Sequence, residues 1–159
     1  MSALRPILAA ASAAALLASF AATASAAPPP DPGADARLIA ACVAGSGNLE
    51  PTCIGRMADA CLKTADSTQR MAECETHELK VWDGWLNRDY AVVMARLNPR
   101  ARAALRGIER AFVADTARRC GFVATVNGAT TMNAPSVAEC RLRATAVQWL
   151  WLKDFKPAG

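Results

Sequence analysis

Six cysteines limit what this chain can fold into more than any other feature of its sequence. They occur in a chain of 159 residues whose N-terminus is typical of an exported protein, at Cys42, Cys53, Cys61, Cys74, Cys120 and Cys140. An oxidising compartment favours the disulfide bond, and a small hydrophobic core gains stability from it. The even number of cysteines therefore predicts three disulfides in the exported protein.

The first 27 residues have the three parts of a secretory signal peptide: Arg5, an uncharged run over residues 7–22, and small residues before the expected cleavage after Ala26 or Ala27. The run is Ala-rich and shorter than the roughly 20 apolar residues of a membrane span, which favours a cleaved signal over an anchor. Because the first cysteine is Cys42, no lipid attachment is expected at the cleavage point. We expect a periplasmic or secreted protein with no membrane span after cleavage.

Two segments follow the signal. Residues 28–34 form a Pro-rich leader, which is expected to be extended because proline fixes φ and offers no amide donor. Residues 35–159 are long enough for one domain with one hydrophobic core.

Short hairpins predict a sequential pairing of the cysteines. Predicted helices over residues 36–44 and 51–63 are joined by a Gly-Ser-Gly-Asn turn, so antiparallel packing brings one cysteine of each together. A second turn, at Asp66-Ser67, repeats this arrangement. The predicted bridges are Cys42–Cys53, Cys61–Cys74 and Cys120–Cys140. The alternative is a pair of bridges across the main hairpin, Cys74–Cys120 and Cys61–Cys140.

A long helix is predicted from about Ser67 to Leu97, with Asp66 and Gln69 at capping-box spacing. Its apolar residues recur three or four apart, as one helical stripe requires. These are Leu79, Trp82, Leu86, Tyr90, Val93 and Leu97. The charged residues of the same helix, among them Glu75, Glu78 and Asp89, are expected to lie mostly in water.

Two further helices complete the predicted fold. Asn98-Pro99 is typical of a helix start and predicts a helix over residues 100–119, packed antiparallel on the long helix because the link is short. Ser136 and Glu139 form a capping box that starts the last helix, residues 137–155. The predicted fold class is all-α: a disulfide-stapled helical bundle of about five helices.

The segment over residues 121–135, before the last helix, has two interpretations. Asn127-Gly128 between β-branched runs indicates a small hairpin, since both residues accept a positive φ. An irregular long loop held by Cys120 and Cys140 is the equal alternative, because isolated hairpins are only marginally stable. In either case the tip residues Asn127, Gly128, Thr130 and Thr131 are binding candidates, since a loop on a rigid scaffold is a usual place for binding residues.

The order of residues from 61 to 150 resembles the N-terminal domain of the LprI-type lysozyme inhibitors. That pattern has a Cys, Thr-Gln and Met before a second Cys, Asp-x-x-Leu-Asn-x-x-Tyr, a helix ending in a third Cys, a Gly-containing loop and a fourth Cys. The matching positions are Cys61, Thr68, Gln69, Met71, Cys74, Asp83, Leu86, Asn87, Tyr90, Cys120, Asn127, Gly128, Cys140 and Thr145. Four departures replace polar or aromatic members of the pattern: Glu109, Phe112, the Thr116-Ala117 pair and Gln148.

The resemblance implies an exported binding module that inhibits a lysozyme, with that enzyme as protein partner. The alternative is a structural or interaction protein of the periplasm or envelope without inhibitory activity. Trp149 and Trp151 lie about 200° apart on a helix, so one of them is expected to be exposed, and Trp151 is a further binding candidate.

Enzymatic activity is not expected, because no nucleophile elbow or complete catalytic set is visible. His77 has metal-ligand spacing from Cys74, but a structural zinc needs four ligands and the cysteine is better used in a disulfide. Carboxylate pairs such as Glu75 with Asp83, or Glu73 with Glu78, are predicted on a helix surface, which rarely forms the cleft that raises the pKa of a catalytic acid. No cofactor, metal or nucleic-acid partner is therefore expected.

Charge is unevenly distributed along the chain. Residues 28–98 carry 7 basic and 10 acidic side chains, whereas residues 99–159 carry 10 basic and 4 acidic ones. Residues 28–159 together carry 17 basic and 14 acidic side chains, a formal charge of +3, which opposes an encounter with a cationic lysozyme. An acidic patch from Glu73 to Asp89 is expected to offset this repulsion locally.

Overall fold

The structure is a computed structural model that describes residues 32–155. The predicted signal peptide and the first residues of the predicted leader lie outside this range. The elements are α1 (Pro32–Ser46), a 3₁₀ helix (Gly47–Cys53), α2 (Arg56–Leu62), α3 (Thr68–Arg96), α4 (Pro99–Asn127) and α5 (Asn133–Lys153). Every regular element in residues 32–155 is helical, so the predicted all-α class is confirmed. No helix in this range combines the length and apolar character needed to cross a bilayer.

Local capping explains where the two longest helices begin. The Ser67 side chain accepts a hydrogen bond from the Arg70 N–H at the start of α3, so this serine caps the helix rather than the predicted Asp66. Asn98 accepts from the Ala101 N–H at 2.9 Å, and Pro99 occupies the first position of α4. Both caps satisfy amide groups that have no partner inside the helix.

The first and last helices begin earlier than predicted. The first helix starts at Pro32, so the last three residues of the predicted extended leader are helical. Similarly, α5 starts at Asn133 rather than at residue 137, and Pro135 lies in its first turn. Proline is tolerated there because the amides of a first helical turn have no helical acceptor.

The predicted hairpin or long loop over residues 121–135 is wrong. Residues 121–127 continue α4, and only residues 128–132 connect it to α5. Thr125 donates through its hydroxyl to the carbonyl of Gly121, one of the ways a β-branched residue is accommodated in a helix. Gly128 does have the positive φ that the Asn-Gly pair predicted, but it uses that conformation to end a helix.

The core lies around α5, which packs along α3 and against α4. Its buried residues follow one helical stripe: Pro135, Ala138, Leu142, Thr145, Ala146, Trp149 and Leu152. The short link between α3 and α4 predicted that these helices pack on each other, but the main backbone contacts of α4 are with α5. The Cys120–Cys140 disulfide and a 2.8 Å hydrogen bond from Gln148 to Glu109 fix α4 there.

Three tryptophans form the centre of the α3–α5 contact. The rings of Trp82, Trp85 and Trp149 lie 5.1–5.3 Å apart between centroids. Trp82 is fully buried, Trp149 is nearly so, and Trp85 packs against them partly buried. Aromatic groups at these separations attract each other beyond the gain from burial alone.

Candidate functional site

The end of the α4–α5 hairpin is held by the disulfide between Cys120 and Cys140. Their Cα atoms are 5.6 Å apart, and Cys120 is buried. We call residues 121–138 the tip: the last turns of α4, the connection and the first turns of α5. The bridge fixes both helices at the base of the tip, so the tip's position relative to the bundle is set by a covalent bond.

The connection at the end of the tip is ordered by its own hydrogen bonds. The Gly128 N–H donates to the Thr125 carbonyl at 3.3 Å, and the Gly128 carbonyl accepts from the Thr130 N–H at 3.0 Å. The Asn133 side-chain amide also donates to the Gly128 carbonyl, while its backbone N–H donates to Thr130. Because these bonds are internal, the connection has a defined shape without a partner.

The tip carries no charge and exposes several large apolar side chains beside small polar ones. No Lys, Arg, His, Asp or Glu occurs from Cys120 to Ala138. Phe122 is 67% exposed, Val126 is 66% exposed and Met132 is 42% exposed. Exposed large apolar side chains in an uncharged segment are typical of a protein-binding surface.

The structure brings four of the predicted binding residues together at this end. Gly128, Thr130 and Thr131 are exposed in the connection, and Asn127 is the partly buried last residue of α4. The sequence pattern did not single out Phe122 and Val126, because it assigned them to a strand or loop. The sequence feature that could have indicated them is the absence of charged residues from Cys120 to Ala138.

Trp151 lies far from the tip. It is 18 residues after Asn133 on α5, or about 27 Å along the helix axis. Its side chain is 37% exposed and its ring contacts that of Phe155 at 5.0 Å, whereas Trp149 is buried. The prediction that one of the two last tryptophans is exposed is confirmed, but Trp151 does not share a site with the tip.

The motif Asp83, Leu86, Asn87 and Tyr90 divides between core and surface. Leu86 is buried, and Tyr90 packs partly buried against the core. The Asn87 amide donates to the carbonyl and to the carboxylate of Asp83 at 2.9 and 3.0 Å, on the exposed side of α3. The motif therefore supplies core packing and one surface hydrogen-bonded pair.

Comparison with known families identifies this arrangement. The family model for the lysozyme inhibitor LprI matches residues 59–152. The chain belongs to the LprI family. The match spans α3, α4 and α5, the tip, and the disulfides Cys61–Cys74 and Cys120–Cys140, while α1 and Cys42–Cys53 precede it. No curated protein and no solved structure matches the chain.

The three bridges of the chain are those of the sequential pairing, Cys42–Cys53, Cys61–Cys74 and Cys120–Cys140, and the last two lie within the LprI match. Three disulfides indicate an oxidising compartment, since thiols are kept reduced in the cytosol. The family is named for the inhibition of an enzyme and not for catalysis.

Glu78 is buried at the contact of α2 with α3, contrary to the prediction that the charged residues of α3 are mostly in water. Its carboxylate accepts hydrogen bonds from the N–H groups of Gly55, Met57 and Ala58 and from Trp82 Nε1, all at 2.7–2.9 Å. These amides belong to the start of α2, where a helix has unpaired donors and favours a negative charge. Glu78 therefore attaches α2 to α3.

Asp89 is the second buried carboxylate of α3. It accepts from Trp149 Nε1 at 2.9 Å and from Arg88 Nε at 2.9 Å. The bond to Trp149 joins α3 to α5 inside the core. Sequence reasoning missed both carboxylates, although Glu78, Trp82 and Leu86 share the four-residue spacing of the apolar stripe.

Glu75 is also buried, and its pKa is raised to about 7. The main cause is burial, which disfavours the charged carboxylate; the negative charges of Glu139 and Glu78 add to it, while Arg143 acts in the opposite direction. The Arg143 guanidinium bonds Glu139 at 2.8 Å.

The predicted acidic patch from Glu73 to Asp89 is not a surface of free carboxylates. Glu75, Glu78 and Asp89 are buried. The exposed Glu73 accepts from Arg70 at 2.9 Å and from Gln69 at 3.1 Å. The expected local attraction for a cationic partner is therefore reduced, and the exposed Asp83, which accepts from the Asn87 amide, retains part of it.

His77 lines an open groove of about 760 Å³ along the first half of α3, together with Gln69, Glu73 and Lys80. Cys74 is bonded to Cys61 and so does not supply a thiolate ligand. Within residues 32–155, no group of three or more His, Cys, Asp and Glu side chains is placed to hold a metal ion.

Proposed function

We propose that the protein is an exported lysozyme inhibitor and that its tip binds the enzyme. Membership of the LprI family supports the activity, and the disulfides support export to an oxidising compartment. The finer proposal, that this chain inhibits a muramidase through the tip, is supported mainly by the uncharged surface of a covalently fixed hairpin end.

The absence of charge in the tip reduces the electrostatic repulsion expected between this basic protein and a cationic lysozyme. The chain has a formal charge of +4, so contact with a cationic lysozyme through its arginine-rich surfaces would be repulsive. The arginines of α4 precede Cys120, and those of α5 follow Cys140. Contact through the tip keeps most of these charges outside the interface, where salt at physiological strength screens them beyond about 8 Å.

The internal order of the tip also supports the proposal, because it favours tight binding. A loop that must be ordered on binding lowers the affinity by the entropy of its immobilised residues. Here the disulfide fixes the two helices, and hydrogen bonds between Gly128, Thr130 and Asn133 fix the connection. The free and bound conformations of the tip are expected to be the same.

Replacement of Asn127-Gly128 and Thr130-Thr131 by a short Gly-Ser link tests the proposal. We expect inhibition of a purified lysozyme to be lost, measured as the rate of cell-wall lysis, while helical circular dichroism is unchanged because these residues lie outside the core. Trp151→Ala is the control and should keep full inhibition. Full inhibition by the link variant, together with loss of inhibition in a folded Trp151→Ala variant, would move the binding surface to α5.

One observation favours a second function, that of an envelope interaction protein without inhibitory activity. Val147 and Trp151 lie four residues apart on α5, and Phe155 follows four residues later, just past the end of the helix; their side chains are 55%, 37% and 58% exposed. Such an apolar stripe fits a protein partner. Capture of one envelope protein by the unaltered chain but not by Trp151→Ala, with no inhibition of lysozyme, would establish this function instead.

A further inference from the structure

Phe122 and Val126 are the two most exposed large apolar side chains in the described residues. They lie one turn apart on α4, so their side chains are neighbours on one face. Cys120 marks the side of α4 that faces α5, because it is bonded to Cys140. Phe122 and Val126 lie about 160° and 120° around the helix from Cys120, so this face is turned away from α5.

The surroundings of Val126 differ from those of Val113, an exposed apolar residue earlier on α4. Neighbours on a helix surface lie three and four residues away. The preceding neighbours of Val113 are Glu109 and Arg110, whereas those of Val126 are uncharged, as is every residue after Arg119 in α4. Arg118 and Arg119 precede Phe122 by one turn, and both are paired with Asp115. A partner that covers Phe122 and Val126 therefore meets charges only at the Arg119 side of this face, where they are already paired; burial of an unpaired charge would be costly.

The substrate cleft of a muramidase has the chemistry that such a face fits. Glycoside hydrolysis of this kind uses a carboxylic acid whose pKa is raised by a hydrophobic pocket. An apolar side chain that enters this pocket displaces water and brings no charge that the pocket would have to desolvate.

We propose that Phe122 and Val126 are the principal contacts of the inhibitory surface and enter the glycan-binding cleft of the muramidase. Inhibition is then competitive with the glycan substrate. The connection, with the hydroxyls of Thr130 and Thr131, surrounds this apolar centre and orients it in the cleft, so inhibition needs both parts of the tip. This inference rests on the proposed function.

The test compares Phe122→Ala and Val126→Ala with Val113→Ala. Val113 is a matched control, because it is a valine on the same helix with 64% exposure, against 66% for Val126, but lies before the disulfide. We expect the inhibition constant against a c-type lysozyme to rise at least about tenfold for Phe122→Ala and about threefold for Val126→Ala, and less than about twofold for Val113→Ala. The steady-state pattern should be competitive with a soluble chitin oligosaccharide.

The outcomes separate this inference from the proposed function. If the unaltered protein does not inhibit, both are wrong. If it inhibits and the Phe122 and Val126 variants inhibit equally well, or if Val113→Ala weakens inhibition as much as Val126→Ala, the assigned face is wrong while the inhibitory function stands. A non-competitive pattern likewise excludes entry into the cleft. Circular dichroism of all three variants should be unchanged because each side chain is exposed.

Discussion

Glu78 shows how a single charged side chain can join two elements. Its two carboxylate oxygens accept four hydrogen bonds, three of them from backbone N–H groups at the start of α2. A buried carboxylate is costly unless its oxygens are satisfied, and here the donors at a helix start supply both hydrogen bonds and favourable charge. Loss of one oxygen acceptor would leave buried N–H groups without a partner.

Glu78→Gln should therefore lower the free energy of unfolding by about 3 kcal/mol, because the amide nitrogen of glutamine is a donor placed against donors. Urea denaturation followed by circular dichroism measures the change. Glu73→Gln is the control: its side chain is 49% exposed, so we expect a change below about 0.5 kcal/mol. Equal effects of the two substitutions would contradict the role assigned to Glu78.

The raised pKa of Glu75 predicts a pH dependence with a defined sign. In the unfolded chain the pKa of this carboxyl is near its ordinary value of 4.5, and in the folded protein it is about 7. The folded state therefore binds the proton more tightly, so this contribution to stability is complete below about pH 4.5 and is lost as pH rises through 7. Glu139, Glu78, Asp59 and Arg143 are the charged groups that act on Glu75.

We expect Glu75→Gln to remove this part of the pH dependence. Between pH 5 and 8 the free energy of unfolding of the unaltered protein should fall relative to that of the variant by roughly 1–3 kcal/mol, since each pKa unit corresponds to about 1.4 kcal/mol. Parallel urea titrations at several pH values measure this difference. Parallel stability curves for the two proteins would show that the pKa of Glu75 is not raised.

At the scale of elements, the end of α4 depends on the conformation of one glycine. Gly128 has φ +63° and ψ −156°, a region that side-chain-bearing residues rarely adopt. Gly121, seven residues earlier, lies inside the helix. An added methyl group would have no neighbouring atom within 4 Å at either position, so space does not distinguish them.

Replacement of glycine by alanine should therefore change the free energy of unfolding in opposite directions at Gly128 and Gly121, because only the backbone conformation differs. We expect Gly128→Ala to lower the free energy of unfolding by about 1–2 kcal/mol, because alanine is strained at this φ. Gly121→Ala should raise it by about 0.5–1 kcal/mol, because alanine is the better helix former. Thermal melting of the two variants measures both changes, and a shift in the same direction for both would show that the connection is not held in this conformation.

The helices and bridges of this fold follow from patterns that are local in sequence. Asn98-Pro99 indicates the start of α4, and the spacing of Cys61 and Cys74 around a turn favours their pairing over bridges across the main hairpin, because each depends on residues within a few turns. The Asn-Gly pair was harder to interpret, since a positive φ serves a hairpin turn and a helix end equally well. The structure shows a helix end, because α4 continues through the β-branched residues of 123–126 as far as Asn127.

At the scale of the whole molecule, the features that were not predictable depend on residues distant in sequence. Asp89 is buried because Trp149, 60 residues later, donates to it. Glu78 is buried because the start of α2, which precedes it by 20 to 23 residues in sequence, packs against α3 and donates to it. The charge pattern of α3 alone indicates a solvent-exposed surface, so the burial of three of its carboxylates, Glu75, Glu78 and Asp89, comes from the tertiary fold.

The distribution of charge over the molecule is also decided by this packing. Burial removes Glu75, Glu78 and Asp89 from the surface of α3, while most arginines of α4 stay exposed. The molecule therefore presents a more basic surface than its composition suggests, which makes the neutral tip the part of the α4–α5 hairpin least opposed to a cationic partner.

The uncharged tip has one more consequence, for digestion by proteases. An enzyme that cleaves after lysine or arginine has no site between Arg119 and Arg141. Cys120 and Cys140 both lie in that interval, so their bridge stays inside a single fragment after complete digestion. A trypsin-like protease secreted alongside a lysozyme would therefore leave the proposed inhibitory surface in one covalently closed piece.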